Sequence, residues 1–353
     1  MSTRPPPRAP ASRPAVGRAG RHPTRGALAV ATLAVAAAVA GGCGSPTPSQ
    51  PVLTPSPTPS PTASPGGPAG SALLLLAVAD NARVLSLLQP STEIVALPLP
   101  DPTTMAVTPM HNGTLVALLA DGRAFVAPGG AAGLLAGTAW QPLDLRWDGA
   151  LPGTSIVFGA TASPDGTRLA AIARPPDAEG PSALLVIDPA EGRGVIRPLA
   201  AESLGAPPAW LDDSRVALVQ RDRVDRTLLS IITVATGRVV DQIEFRALDF
   251  GTSGDAGTAV VHGDESRLLV GPIEEVLERR RAPDEGPITS AGDAIGGGIA
   301  LDREGRHLAA VVDDDVAGVS RIAIFERVGG AWRTAARLPA PRGSRGGTIA
   351  WLP

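Results

Sequence analysis

The sequence predicts an all-β chain folded as a β-propeller, on three observations. A strand–turn–strand motif recurs through residues 72–353, no stretch there sustains a helical period, and the two ends of that region carry complementary halves of the motif. Many short strands with turn chemistry between them leave a sandwich, a barrel or a propeller. A recurring unit the size of four strands selects the propeller.

The clearest copy of the motif is ATASPDGTRLAAIA around Gly166. Others are AVTPMHNGTLVALL around Gly113, PPAWLDDSRVALV around Ser214, VVHGDESRLLV around Ser266 and GIALDREGRHLAAVV around Gly305. Each reads as a strand, a tight polar turn and a second strand, with Asp or Asn and Gly or Ser supplying the turn. The turns are 53, 48, 52 and 39 residues apart. Between them lie further β-rich runs, among them Leu184–Asp188, Leu228–Val234 and Ile322–Glu326. Only Ile273–Arg281 fits a helix, with Ile273, Val276 and Leu277 on one face.

The end pieces predict how the ring closes. Ala69–Ala79 matches the second half of the motif and Thr348–Pro353 the first half, so together they make one repeat. A tail ending in Ile-Ala-Trp-Leu-Pro is an aggregation hazard when exposed. As the innermost strand of the first blade it becomes covered and removes an unpaired edge. Turns at 70, 113, 166, 214, 266 and 305 give six four-stranded blades of about 47 residues. Seven blades is the alternative, with a degenerate one around Gly133–Trp147. Trp210 and Trp351 fall at equivalent inner-strand positions and are expected to pack between blades.

The pattern Ser163-Pro164-Asp165-Gly166, followed by Leu169-Ala170, resembles the WD-like repeats of TolB-type six-bladed propellers, and the resemblance runs through residues 70–353. It implies a protein-docking platform. Six-bladed propellers also host calcium-dependent lactonases, which implies the alternative: an enzyme of lactonase or hydrolase type using a cation in the central funnel. Such a site needs Glu, Asn and Asp on the inner strands. Those strands read as IAWLP, AVTP, ATAS, PAWL, AVVH and GIAL, which favours binding over catalysis.

Upstream of the repeats the composition changes. Residues 1–42 hold six of the 31 basic residues and no acid, which leaves 25 against 34 acidic residues in the remainder. That acidic body excludes nucleic acid as the expected partner. The arginine-rich start leads into GALAVATLAVAAAVAGGC, Gly26–Cys43, a secretory signal in its charge and apolar pattern. Its apolar run of about 17 residues is short for a membrane span. Cys43, the only cysteine, follows Ala40-Gly41-Gly42 in a context that resembles the lipobox of bacterial lipoproteins. The resemblance implies a diacylated Cys43 as mature N-terminus, although Ala40 stands where that family carries a branched residue. The alternative is ordinary cleavage after Ala40 with a free thiol. Residues 44–71 alternate Pro, Ser and Thr and cannot bury a core. They form a tether that reaches roughly 30 Å as a coil and about 90 Å as polyproline II. The expected organisation is therefore a signal peptide over 1–42, a tether over 43–71 and a propeller over 72–353, monomeric and lipid-anchored on the extracytoplasmic side of the cell membrane.

Chemistry-bearing motifs are sparse. Gly251-Thr252-Ser253-Gly254-Asp255 comes nearest to a nucleophile elbow but lacks its second glycine. His111, His262 and His307 read as surface or turn residues without metal spacing, and no metal or cofactor is expected. The candidate site is instead a rim of acids. The turns joining the two middle strands of each blade place Asp80, Asp121, Asp177, Asp222 and Asp225, and the cluster Asp313, Asp314 and Asp315, on one face. Such a rim would steer a basic partner or a divalent cation. Asp165 and Asp264 are expected on the opposite face.

Overall fold

The computed structural model describes residues 72–79, 82–89, 94–149, 156–175, 182–200, 202–204, 206–222, 226–244, 246–263, 267–284, 286, 293–314, 319–340 and 345–353. The expected signal peptide, the tether and Cys43 lie outside the described residues.

Blade one holds β1 (Leu73–Ala79), β2 (Ala82–Leu88) and β3 (Ile94–Leu97). Blade two holds β4 (Thr104–Pro109), β5 (Leu115–Leu119), β6 (Ala124–Ala127) and, after helix α1 (Gly130–Leu135), β7 (Gln141–Leu143). The short β8 (Arg146–Asp148) then joins the outer edge of blade three, which continues as β9 (Ile156–Ala162), β10 (Leu169–Arg174), β11 (Ala183–Asp188) and β12 (Arg193–Pro198). In blade four β13 (Glu202–Ser203) and β14 (Ala209–Asp212) share the inner position ahead of β15 (Arg215–Arg221), β16 (Thr227–Thr233) and β17 (Val239–Glu244). Blade five has β18 (Asp249–Thr252), β19 (Thr258–His262) and β20 (Leu268–Pro272), then helix α2 (Ile273–Arg279). Blade six has β21 (Asp293–Leu301), β22 (His307–Asp314), β23 (Val319–Val328) and β24 (Ala331–Pro339).

The last strand, β25 (Arg345–Trp351), pairs antiparallel with β1, so the first sheet runs β25-β1-β2-β3. Leu73 faces Trp351 across this pair, and the Leu352 N–H donates to the Ala72 carbonyl at 2.9 Å. Six blades therefore form a closed ring, as the two half-motifs predict. The stretch that could have hidden a seventh blade is otherwise used. Ala131 and Leu134 of α1 pack into the cluster between blades one and two, β7 completes blade two, and β8 adds a parallel edge to β12.

Buried apolar side chains among the described residues fall into six clusters, each lying between two neighbouring blades. This explains the apolar runs of the second strands. A strand sandwiched between two blades buries both faces, and successive side chains alternate between them. Leu74 and Leu76 enter the cluster with blade two, whereas Leu73 and Leu75 enter the cluster with blade six. Blades converge toward the axis, so the second strands also take small residues: Ala170, Ala171, Ala309 and Ala310 are fully buried. Outer strands meet water on one side: β17 carries exposed residues at alternate positions and β24 along most of its length.

Helix α2 stands where other blades carry their outermost strand. As the spacing predicts, Ile273 and Val276 are buried and Leu277 packs beside them, all against the cluster between blades four and five. Glu274 and Glu275 sit in its first turn and Arg279 in its last, matching the helix dipole.

The fifth blade also corrects the repeat register. Its first turn is Ser253–Thr258, not the segment around Ser266, which instead joins the two middle strands β19 and β20. Asp264, expected on the face opposite the rim, lies outside the described residues. The Ser253 hydroxyl donates to Asp255 Oδ1 at 2.6 Å and the Gly257 N–H donates to the same oxygen at 2.9 Å. Ser163, Asp165 and Thr167 make the same two bonds at 2.5 and 2.9 Å. Where the clear copy has Gly166 at φ +70°, this one has Ala256 at φ +57°. With the turn placed at 256, the last two spacings become 42 and 49 residues, closer to a constant blade.

Candidate functional site

Counted outward from the axis, the innermost strands of all six blades line one central cavity of about 770 Å³. Its wall takes Val107–His111 from blade two, Ala160–Ala162 from blade three, Pro207–Trp210 from blade four, Leu248–Gly254 from blade five, Gly298–Glu304 from blade six and Thr348–Pro353 from blade one. An innermost strand has no partner on its axial side, so its free backbone groups need other bonds. Side chains of neighbouring blades supply them. Thr108 Oγ1 donates to the Ala160 carbonyl at 2.8 Å, Thr161 Oγ1 to Pro208 at 2.5 Å and Thr252 Oγ1 to Trp210 at 2.8 Å. The indoles of Trp210 and Trp351 donate to the carbonyls of Thr161 and Ala300. Both tryptophans lie between blades as expected, and each is also a stitch. Arg168 lies over the Trp210 ring at 5.6 Å.

The first turns of the blades meet at one end of the cavity. Gly166 is packed so closely on His111 of blade two that a β-carbon would stand 2.5 Å from it. The Asp165 N–H donates to Asp213 Oδ1 of blade four at 3.0 Å, and the Asp255 N–H to the Arg303 carbonyl of blade six at 3.1 Å. Burial lowers the pKa of His111, and Arg303 adds to the effect against the opposing pull of Asp165 and Asp213. His307 Nδ1 lies 2.7 Å from Asp302 Oδ2, and its ring is 5.9 Å from that of Trp351. Ser253, read as the nearest approach to a nucleophile elbow, builds a turn. His262 is no surface histidine. It ends β19, is 7% exposed, lines the cavity, and burial lowers its pKa.

Of the acidic rim, Asp121, Asp222 and Asp313 are described with their side chains, and each has a partner. Asp121 accepts from Arg123 Nε at 2.7 Å, and Arg123 also reaches Asp101 at 3.5 Å. Slight burial raises the pKa of Asp121, but hydrogen bonds from the Arg123 backbone and side chain hold it below the usual carboxylate value. Asp222 pairs with Arg226 at 2.8 Å, and Arg226 reaches Glu244 at 3.0 Å. Asp313 accepts from the Ser320 hydroxyl at 2.6 Å. Asp314 ends β22 with its side chain outside the description, and Asp80, Asp177, Asp225 and Asp315 lie outside the described residues.

One channel residue escaped the sequence reading. With AVVH taken as the inner strand of blade five, the wall holds no carboxylate there; the inner strand is in fact DFGT, and it opens with Asp249. Asp249 faces His262 across the β18–β19 pair and lines the cavity. Its carboxyl is partly open to the cavity but enclosed by protein, and this burial pushes its pKa up to about 7 against one hydrogen bond from the Phe250 N–H. The Ser-x-Asp stretch shared by Ser163–Asp165 and Ser253–Asp255 was the signal that could have found it.

No protein-family model and no curated protein matches this sequence. Among solved structures the chain is similar to the β-propeller domain of Cps50 (Swd1) from Myceliophteria thermophila, at 14% identity over 79% of this chain and 87% of that one, with a TM-score of 0.49. It is also similar to a chain of the mitotic checkpoint complex, at 9% identity over 69% of this chain and 82% of that one, with a TM-score of 0.42.

Proposed function

We propose that this chain is a propeller tethered to the extracytoplasmic face of the cell membrane, where it acts as a protein-binding or scaffold module of the envelope. The observation that carries the reading is how the reactive side chains are used. Ser163, Ser253 and His307 are each tied to an aspartate of their own blade, Asp165, Asp255 and Asp302, and these bonds build turns. A closed ring stitched at its axis is a rigid disc that presents loops, which suits docking. The lipobox-like Cys43 and the Pro/Ser/Thr tether supply the anchor and the reach.

The docking face in this reading is the one bearing the middle-strand turns, with Asp313, Asp314 and Asp315 as its densest charge. Asp121 and Asp222 already hold arginines. The test is capture of envelope proteins by the full-length chain at two salt concentrations. Cys43→Ser should move the chain from the membrane fraction to the soluble one. Replacing Asp313, Asp314 and Asp315 by Asn should weaken capture, more so at low salt. Glu191→Gln, in the turn between β11 and β12 on the opposite face, should leave it intact. Asp165 cannot serve as that control because its carboxylate builds a turn. Retention of the Cys43→Ser chain in membranes would sink the anchor, and equal loss from both faces would sink the docking face.

A further inference from the structure

We propose that the central cavity binds a small organic cation, a protonated amine carrying an apolar body, with Asp249 as its counter-ion. This goes beyond the docking role, since it concerns the axis of the ring rather than its loops.

Strand parity fixes where Asp249 looks. Phe250 is buried in the cluster between blades four and five, and the Thr252 hydroxyl donates to a blade-four carbonyl. Alternate residues of a strand point to opposite faces. Asp249 and Gly251 therefore face blade six, where Ile299 stands 3.9 Å from the place a Gly251 β-carbon would take. Gly298, at φ +47°, lines the cavity beside Ile299 and brings no side chain to fill the space.

The carboxylate there is under-served. Among the described residues its one hydrogen bond is the Phe250 N–H at 2.7 Å, and no arginine offsets the burial that raises its pKa. His262, its cross-strand neighbour, is driven toward its neutral form by burial and brings no charge. A buried, unpaired carboxylate is costly, and a cation that enters relieves the cost.

The surroundings select the kind of cation. Leu248, Ile295 and Ile299 give the wall an apolar character, and a cavity of about 770 Å³ falls in the range that holds small ligands. Calcium takes six to eight oxygens. Among the described residues no third His, Cys, Asp or Glu joins Asp249 and His262 in a metal-holding group. One carboxylate at the edge of an apolar wall matches an ammonium head on a hydrocarbon body. Leu248, at 54% exposure, forms the lip.

The test uses the full-length chain, with benzylamine and hexylamine as probes against benzyl alcohol and hexanol, followed by calorimetry. Each amine should bind at least about ten-fold tighter than its alcohol, and Asp249→Asn should abolish that preference while leaving the alcohols unchanged. Leu248→Ala, at an exposed position, should weaken amine and alcohol alike by about three- to ten-fold. Equal binding of amine and alcohol to the native chain overturns the proposal, and does so even if Asp249→Asn fails to fold. So does an amine preference that survives Asp249→Asn, an affinity untouched by Leu248→Ala, or calcium chloride displacing benzylamine at equal ionic strength.

Discussion

Trp210 and Trp351, three blades apart in the ring, make the same bond: each indole N–H donates to an inner-strand carbonyl of the preceding blade, Thr161 in one case and Ala300 in the other, both at 3.0 Å. The equivalence links the sequence motif PAWL to IAWL at the level of hydrogen bonds. It also makes ring closure at β25 like any other blade-to-blade seam.

Phenylalanine at either position keeps the aromatic body and removes the donor. Trp351→Phe and Trp210→Phe should each cost about 1–2 kcal/mol in urea unfolding, because a carbonyl at the axis loses its partner. The sites are far apart, so the double variant should show the sum. Coupling well above 0.5 kcal/mol would contradict independent seams.

Removing Gly347–Pro353 takes away the inner strand of blade one, including the half-buried Trp351 and the buried Ile349. The loss should exceed about 3–5 kcal/mol, a large share of a domain's net stability. It also leaves β1, LLLLAVA, as an open edge. Size-exclusion chromatography should show multimers or an expanded chain, and a monomer with an unchanged melting curve would refute the closure argument.

Ala256 holds a left-handed backbone, φ +57°, at the position where Gly166 and Gly305 occupy the equivalent turns. Ala256→Gly should stabilise by about 1 kcal/mol, or about 2 °C in melting temperature for a domain of this size. No gain, or a loss, would mean that the turn is not strained.

Asp249 has a folded pKa of about 7, above the unfolded value near 3.9. The folded state therefore binds the extra proton between roughly pH 4 and 7, and its stability falls as pH rises through that window. The full shift corresponds to about 4 kcal/mol. Partial access to cavity water reduces this, so Asp249→Asn should gain about 1–3 kcal/mol at pH 8 and almost nothing at pH 4. An equal gain at both pH values would point to a cause other than ionisation.

The fold was legible because a propeller repeats itself. Four of the turns, at 113, 166, 214 and 305, sit where the motif puts them, and the half-motifs at the two ends meet as β1 and β25. Blade five was misread for a physical reason. Its first turn carries alanine where glycine is the usual left-handed residue, while GDESR in the next connection imitates LDDSR. That one-strand slip hid Asp249, since it assigned AVVH to the axis in place of DFGT. The ion pairs of the rim were not legible either. Asp121 with Arg123, and Asp222 with Arg226, follow from hairpin geometry that spacing alone does not give.

The pairing of Leu73 with Trp351 joins positions 278 residues apart, so the seam that completes blade one is also the most non-local contact in the ring. By polymer statistics, bringing ends that distant together costs about 5 kcal/mol before any contact rewards it. Such topology folds slowly. Since β25 is made after every other strand described here, the five later blades can stack while β1 still waits for its neighbour. Until β25 is in place the apolar stretch LLLLAVA lacks its partner on that edge, and the interval before closure, more than the finished disc, is when it is open to association.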